Sequence, residues 1–177
     1  MKTWIWLLMV PLVFPACSST PEVQNTDTRE GRPDQESWGV TITMTESGVR
    51  RAEISAGHLR KFDERYYTNL EDDVIVDLYN EQAKHTTRIY SDLAEVEEES
   101  NFMRAIGQVI VLSDSGVNLH TDTLTWDHEE GSVYTDDSVM VTTESGDTLY
   151  GIGFESDTRM EHWTIEHPSG VTGKTYD

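Results

Sequence analysis

Apolar residues recur at every second position along most of the chain, and this period limits the possible folds more than any other feature. Val40, Ile42 and Met44 alternate with threonines. The same spacing recurs in several later groups: Val74, Val76 and Leu78; Val109 and Val111; Leu124 and Trp126; Val139 and Val141. A period of two, rich in β-branched residues, predicts strands. Glycine turns separate them at short spacing, so the predicted fold class is all-β: a sandwich, a barrel or a related roll.

A weak internal repeat adds detail to this all-β prediction. The residues Ser115, Gly116, Leu119, Leu124 and Asp127 recur about thirty positions later as Ser145, Gly146, Leu149, Phe154 and Asp157. Each unit has the pattern of a turn, a strand, a bend and a second strand. A unit of this size cannot bury an apolar face alone and must stack on its neighbours. The repeat therefore predicts strand pairs laid on one another, with the same face turned inward each time.

The N-terminal segment has the pattern of a bacterial export signal. Lys2 is followed by an apolar run over residues 4–14, which is shorter than the roughly 20 residues that span a bilayer. The run leads to Ala16 and Cys17, and small polar residues follow, as in the lipobox of bacterial lipoproteins. We therefore predict a signal peptide over residues 1–16 and a lipid on Cys17. Because Cys17 is the single cysteine, the chain cannot form an intramolecular disulfide.

Composition divides the mature chain into a tether and a domain. Residues 17–37 contain almost nothing to bury, which predicts a flexible, lipidated tether. Regular apolar positions begin at Trp38 and predict one domain over residues 38–177. The formal net charge of -20 excludes nucleic acid as a partner, because phosphates require a basic surface. The same charge disfavours anionic headgroups, so membrane attachment is expected to come from the lipid anchor.

No residue pattern in the sequence supports catalysis or a bound metal. The run from Asp127 to Glu130 resembles a metal cluster, but adjacent strand residues point to opposite faces, and Gly131 predicts a hairpin tip. The segment 151–153 lacks the third glycine of a dinucleotide fingerprint. We therefore predict a protein that is not an enzyme and that uses no metal and no cofactor.

Large apolar residues are concentrated in the C-terminal half of the chain. They are Trp126, Tyr134, Met140, Tyr150, Phe154, Met160, Trp163 and Ile165. Ordinary core packing accounts for any one of them. Together they permit two layers of strands far enough apart to admit an acyl chain, whose burial stabilises by about 0.8 kcal/mol per methylene. The residues alone leave a closed core and a lipid-binding trough as alternatives.

Four segments of the domain resemble one known family. They are Gly107-x-Val109-x-Val111, Gly116-x-x-Leu119-x-Thr121-x-x-Leu124-x-Trp126, Val133-Tyr134-Thr135-Asp136-Asp137, and Gly151-x-Gly153-Phe154. Their order and spacing are similar to the C-terminal half of LptC, the periplasmic, inner-membrane-anchored component of the lipopolysaccharide export machine. The segments 76–79 and 88–92 extend the resemblance toward Val40.

The LptC resemblance implies a twisted β-jellyroll, open at both ends. Its apolar interior would receive lipopolysaccharide acyl chains from the inner-membrane transporter LptF/LptG and pass them to the bridge protein LptA or an LptA-like domain. The implied location is the periplasm, at the inner membrane, with the lipid on Cys17 replacing the transmembrane helix of many members.

Other functions remain alternatives at this point. LptA and the organic-solvent-tolerance proteins share the jellyroll fold, so a bridge protein is the nearest of them. An unrelated outer-membrane-assembly lipoprotein, a ligand-binding lipoprotein and a lipoprotein enzyme are the others.

Alternation also predicts which residues contact the lipid. One parity of the strands is assigned to the interior, because charged neighbours such as Asp77 and Asp122 have the other parity. The predicted trough residues are Val74, Val76, Val109, Val111, Leu119, Leu124, Trp126, Val139, Val141 and Phe154. The first and last strands are the expected docking edges, which partner strands can extend. The resemblance and the apolar residues Met160, Trp163 and Ile165 predict that the edge at 160–165 passes lipid onward.

Overall fold

The protein is a single antiparallel sheet of nine strands in the residues that the computed structural model describes, 31–97 and 102–172. The strands are β1 (Gln35–Glu46), β2 (Val49–Phe62), β3 (Tyr67–Tyr79), β4 (His85–Glu97), β5 (Phe102–Ser113), β6 (Asn118–Asp127), β7 (Ser132–Thr142), β8 (Thr148–Asp157) and β9 (Trp163–Thr172), with a 3-10 helix at Asp63–Arg65. Their order in the sheet follows their order in the chain, so β1 and β9 are both edges. The prediction of an open all-β fold is confirmed.

The N-terminal predictions lie mostly outside the described residues. The signal peptide at 1–16, Cys17 and the tether as far as residue 30 belong to this undescribed part. The first strand begins at Gln35, which places it before the domain start predicted at Trp38. Trp38 is the fourth residue of β1, and its side chain is 70% exposed.

Most strands are bent near their middle, and these bends fold the sheet on itself. The pairing register is interrupted between Ser55 and His58 in β2, between Glu71 and Val74 in β3, between Tyr90 and Leu93 in β4, between Ile106 and Val109 in β5, and between Thr135 and Ser138 in β7. Extra residues at such interruptions bend a strand and increase its twist. The interruptions follow one another from strand to strand and form a line across the sheet, which separates two walls.

Glycine is required at this line because the backbones approach closely. Gly107 has φ +82°, and a Cβ built there would lie 2.6 Å from Oδ2 of Asp92. A Cβ at Gly57 would lie 2.7 Å from Cβ of Asp72, whose own φ is +63°. Gly107 combines a left-handed conformation with close contact to the neighbouring strand, and both favour glycine, whereas at Gly57 the close contact alone does.

The two walls enclose one core of buried apolar side chains. On the first wall, cross-strand pairs join Val76, Ile89, Val111, Leu119 and Val141 in one row. On the second wall, a similar row joins Leu70, Ala94, Ala105 and Leu124. A sheet of one layer can bury one face in this way only when it folds over that face.

All ten predicted trough residues face this core, and each is at most 6% exposed. The assumption of one parity along each strand, however, is wrong. In β6 the inward residues are Leu119 and Thr121 before the bend, and Leu124 and Trp126 after it. The register break between His120 and Thr125 reverses the alternation, because it shifts the second half of the strand by one residue.

A turn after β8 closes the opening between the walls. Its backbone carbonyls at Thr158 and Arg159 accept hydrogen bonds from Thr87 Oγ1 and Ser113 Oγ, both at 2.7 Å. The next residue, Met160, is 1% exposed, and its carbonyl accepts a hydrogen bond from Ser115 Oγ at 3.2 Å. Met160 therefore belongs to the core and to this turn, which corrects its predicted place on the edge strand.

The weak repeat corresponds to two equivalent hairpin turns. Gly116 donates its N–H to the carbonyl of Ser113 at 3.0 Å, and Gly146 donates to that of Thr143 at 2.9 Å. Both glycines have a left-handed φ, +84° and +86°. The repeated serine and glycine thus encode the same turn between β5 and β6 and between β7 and β8.

Candidate functional site

A cavity of about 420 Å³ lies between the walls at the β1 side of the sheet. Its lining is mostly apolar, and it is formed by Ile42, Met44, Ile54, Leu59, Val96, Phe102, Met103 and Trp126, together with Gln35, Lys61, Thr68, Glu97 and His128. Its volume is in the range of pockets that hold small ligands. An apolar cavity of this kind can take a hydrocarbon chain, with polar groups available where the chain ends.

The cavity exists because β1 is an edge strand. Val40, Ile42 and Met44 face inward but are only partly buried, whereas Ile54 on the neighbouring strand is 2% exposed. Among the described residues, no further strand lies beyond β1 to cover these side chains. At the other edge, Trp163 stacks on Phe154 with ring centroids 6.2 Å apart, and Met160 is buried nearby in the chain. The interior is therefore more open at the β1 end.

The predicted trough residues and the cavity overlap at one position. Of the ten, Trp126 lines the cavity, and the other nine form the closed core. Ile42 and Met44 alternate with threonines in the sequence but were not among the predicted trough residues. The other cavity residues that were not predicted are Leu59, Val96, Phe102 and Met103. The alternation in β1 was the one signal that pointed to this end of the interior.

Polar contacts on the outer face hold β1 against its neighbours. The ring of Trp38 stacks on that of His58 at 5.1 Å between centroids. Nε2 of His58 lies 3.5 Å from Glu36 on β1, and its Nδ1 lies 3.7 Å from Glu71 on β3. Arg60 also pairs with Glu71. These contacts hold β1 in place through its outer face. Side chains on the inner face of β1 line the cavity.

A second polar network lies on the outer face of β3 and β4. Asp77 accepts hydrogen bonds from Arg88 Nε at 2.7 Å and from His85 Nε2 at 3.0 Å. Burial alone raises the pKa of Asp77, but the hydrogen bonds from Arg88 and His85 outweigh it and hold the pKa below its usual value. This network confirms that Asp77 points away from the core, as its sequence position predicts.

One group of side chains has the geometry of a cation site, but the carboxylate of Asp157 in it already accepts three hydrogen bonds. The ligand atoms of Asp157, Glu161 and His162 lie within 4.8 Å of one another, and Glu161 and His162 are exposed. Asp157 accepts hydrogen bonds from the His162 ring at 3.0 Å and from the backbone N–H groups of Arg159 and Glu161. Burial raises the pKa of Asp157, and these bonds outweigh that effect and lower it. The hydrogen bonds of this group therefore stabilise the turn between β8 and β9.

The acidic run that resembles a metal cluster is a hairpin tip. β6 ends at Asp127 and β7 begins at Ser132, so the run bridges two strands. Asp127 Oδ1 accepts the backbone N–H of Glu130 at 2.9 Å, which stabilises the turn. His128 lies edge to face with Trp126, at 5.4 Å between ring centroids. The hairpin thus borders the cavity and supplies His128 to its rim.

The last strand, β9, contains two of the three predicted edge residues. Trp163 and Ile165 are half-buried and face Phe154, while Thr164 between them is exposed. Pro168 lies farther along β9, opposite Gly151. Over residues 31–97 and 102–172, β9 pairs with β8 alone, so its other backbone edge is open.

Comparisons with known proteins agree with this architecture. Residues 15–173 match the family described as lipopolysaccharide-assembly, LptC-related. The crystal structure of LptH from Pseudomonas aeruginosa, the LptA homologous periplasmic component of the lipopolysaccharide transport device, is similar with a TM-score of 0.54. The match has 13% identity and covers 70% of this chain and 95% of LptH, so it shows the fold alone. No curated protein sequence gives a significant match.

The family match gives the class of the protein. LptC-like and LptA-like proteins are non-enzymatic components of lipopolysaccharide transport, in agreement with the expectation from the sequence. Among the described residues, no helix is long and apolar enough to cross a membrane. The match covers nearly the whole chain, including the domain that carries the apolar cavity. The chain therefore belongs to the LptC-related family of lipopolysaccharide-assembly proteins.

Proposed function

We propose that this protein binds the acyl chains of lipopolysaccharide in the apolar cavity at the β1 end of the folded sheet and passes the lipid on to a partner protein. The observation that carries the proposal is the cavity of about 420 Å³ at the β1 end, lined mostly by apolar side chains. Family membership supports a role in lipopolysaccharide transport. The role needs no catalytic group, because an acyl chain that leaves water stabilises its own binding by about 0.8 kcal/mol per methylene.

The proposed direction of transfer is from the inner-membrane transporter LptF/LptG to an LptA-like bridge in the periplasm. In the described part of the chain the sheet ends in two edge strands, β1 and β9, each with one side that pairs with no other strand. Partners that add a strand to each edge would continue the sheet and its apolar inner face. The bridge role of LptA itself is the second candidate, since the structure of LptH has the same fold.

Depletion of the protein in living cells tests the function. We expect lipopolysaccharide to disappear from the cell surface and to accumulate at the inner membrane, because its path through the periplasm is broken. Surface labelling and membrane fractionation measure both quantities. Normal surface lipopolysaccharide after full depletion would contradict the proposal.

The proposed membrane anchor is a lipid on Cys17, and the substitution Cys17→Ser tests it. The motive is the apolar run that leads to Ala16 and Cys17. A signal that is cleaved before a lipidated cysteine leaves the acyl chains as the anchor, so the variant is expected to leave the membrane fraction. Mass spectrometry of the purified protein gives the N-terminal residue and its modification. If the variant stays in the membrane at full length, the segment is an anchor helix.

The proposed docking edge is the free side of β9, and Thr164→Pro tests it. Thr164 is exposed and pairs with Glu155 of β8. Proline has no N–H to donate to an added strand, so capture of an LptA-like partner is expected to fall at least tenfold. Thermal unfolding should change little, because β9 is the last strand. A parallel loss of stability and of capture would show that Thr164 supports the sheet itself. The exposed position Glu166→Gln is the matched control.

A further inference from the structure

The indole N–H of Trp126 is a buried hydrogen-bond donor at the wall of the apolar cavity. Trp126 lines the cavity and is 6% exposed. Within residues 31–97 and 102–172, its Nε1 has no hydrogen-bond partner. Buried donors in folded proteins nearly always have an acceptor, because leaving one unpaired costs free energy. The unpaired N–H is therefore a feature that the apolar lining does not explain.

The cross-strand neighbours of Trp126 offer this N–H no side-chain oxygen or nitrogen atom. Its cross-strand partners are Met103 on β5 and Val133 on β7, both buried and apolar. The ring of His128 lies nearly perpendicular to the indole, with an interplanar angle of 78°. An aromatic face is a much weaker acceptor than a carbonyl or a hydroxyl oxygen. A ligand with an oxygen atom at this point would make the stronger bond.

We propose that the cavity prefers acyl chains that carry a hydroxyl or ester oxygen on one of their first carbons, and that Trp126 Nε1 donates a hydrogen bond to that oxygen. The inference rests on the proposed lipid-binding function. Trp126 is the second-last residue of β6, so it lies beside the hairpin that carries His128. Lys61 and His128 are polar side chains of the same cavity. A chain whose polar end lies at these groups brings its first carbons, and a hydroxyl or ester oxygen on them, to the indole.

Two fatty acids that differ by one hydroxyl test the preference. Tetradecanoate and 3-hydroxytetradecanoate compete with a fluorescent fatty acid for the purified full chain in an uncharged detergent. We expect the hydroxylated acid to bind about 3- to 10-fold more tightly, the usual range for one neutral hydrogen bond. Trp126→Phe is expected to abolish this difference, whatever its effect on the affinity for tetradecanoate, because phenylalanine keeps an aromatic ring in the cavity wall but has no N–H to donate. Thr125→Val, the next residue on the opposite face of β6, is the matched control and keeps the preference.

The outcomes separate this inference from the proposed function. Equal binding of both acids by the wild type overturns the inference and leaves lipid binding intact. Loss of both affinities to the same extent in Trp126→Phe also overturns it, because the indole would then act by packing alone. If neither acid binds, the lipid-binding function itself is contradicted.

A proton spectrum of the wild type tests the hydrogen bond without a variant. The Trp126 indole N–H signal should move downfield with the hydroxylated acid alone, and equal shifts with both acids would contradict the hydrogen bond.

Discussion

Phe154→Ala is expected to lower the free energy of unfolding by about 3–5 kcal/mol, the largest stability effect that the fold predicts for one residue. Phe154 is 1% exposed and stacks on Trp163 of the edge strand. Its removal leaves a cavity between β8 and β9 in a core whose other side chains are fixed on two walls. Urea unfolding followed by circular dichroism measures the change.

Tyr150→Ala on the same strand is the control for Phe154→Ala. Tyr150 is 41% exposed and points to the other face. Exposed substitutions usually change the free energy of unfolding by about 0.5 kcal/mol or less. Similar losses in both variants would mean that β8 does not present one face to a packed core.

Ile42→Asp is expected to weaken lipopolysaccharide binding by about 10- to 100-fold, the largest functional effect of one substitution in the cavity. Ile42 lines the cavity and pairs with buried Ile54 on β2. In the free protein the new carboxylate stays hydrated at the open end, whereas a bound acyl chain would remove that water. The cost therefore appears in binding more than in folding. Equilibrium binding of labelled lipopolysaccharide to the purified chain measures it.

Thr43→Asp provides the same charge on the opposite face of β1. Thr43 is exposed and adjacent to Ile42. Because the net charge of the two variants is identical, general repulsion from an anionic lipid affects both. Equal weakening by the two substitutions would show that charge, and not the apolar cavity, controls binding.

The sequence predicted the strands well because alternation and β-branched residues report directly on strand faces. Val74, Val76 and Leu78 are buried and Asp77 lies outside, as their spacing requires. The bends were not predictable in the same way. A break such as the one after Thr121 in β6 has the same local pattern as the end of a strand, and only the neighbouring strands show that pairing continues beyond it.

The site was harder to predict than the core because burial at an edge depends on sheet order. Ile42 and Met44 have the same alternation as Val109 and Val111, yet the first pair borders the cavity and the second is closed in the core. Met160 shows the opposite error. It lies near a polar C-terminus, as an edge residue would, but its turn folds inward and is held by Ser115.

Photocrosslinking along β1 in living cells tests whether lipopolysaccharide binds between the two walls of the folded sheet. A benzophenone side chain is placed in turn at Ile42, Thr43, Met44 and Thr45, whose side chains alternate between the inner and outer faces of the strand. We expect lipopolysaccharide adducts from Ile42 and Met44 and none from Thr43 and Thr45. Adducts of equal yield from both faces, or from the two threonines alone, would show that lipopolysaccharide does not bind in the cavity between the walls.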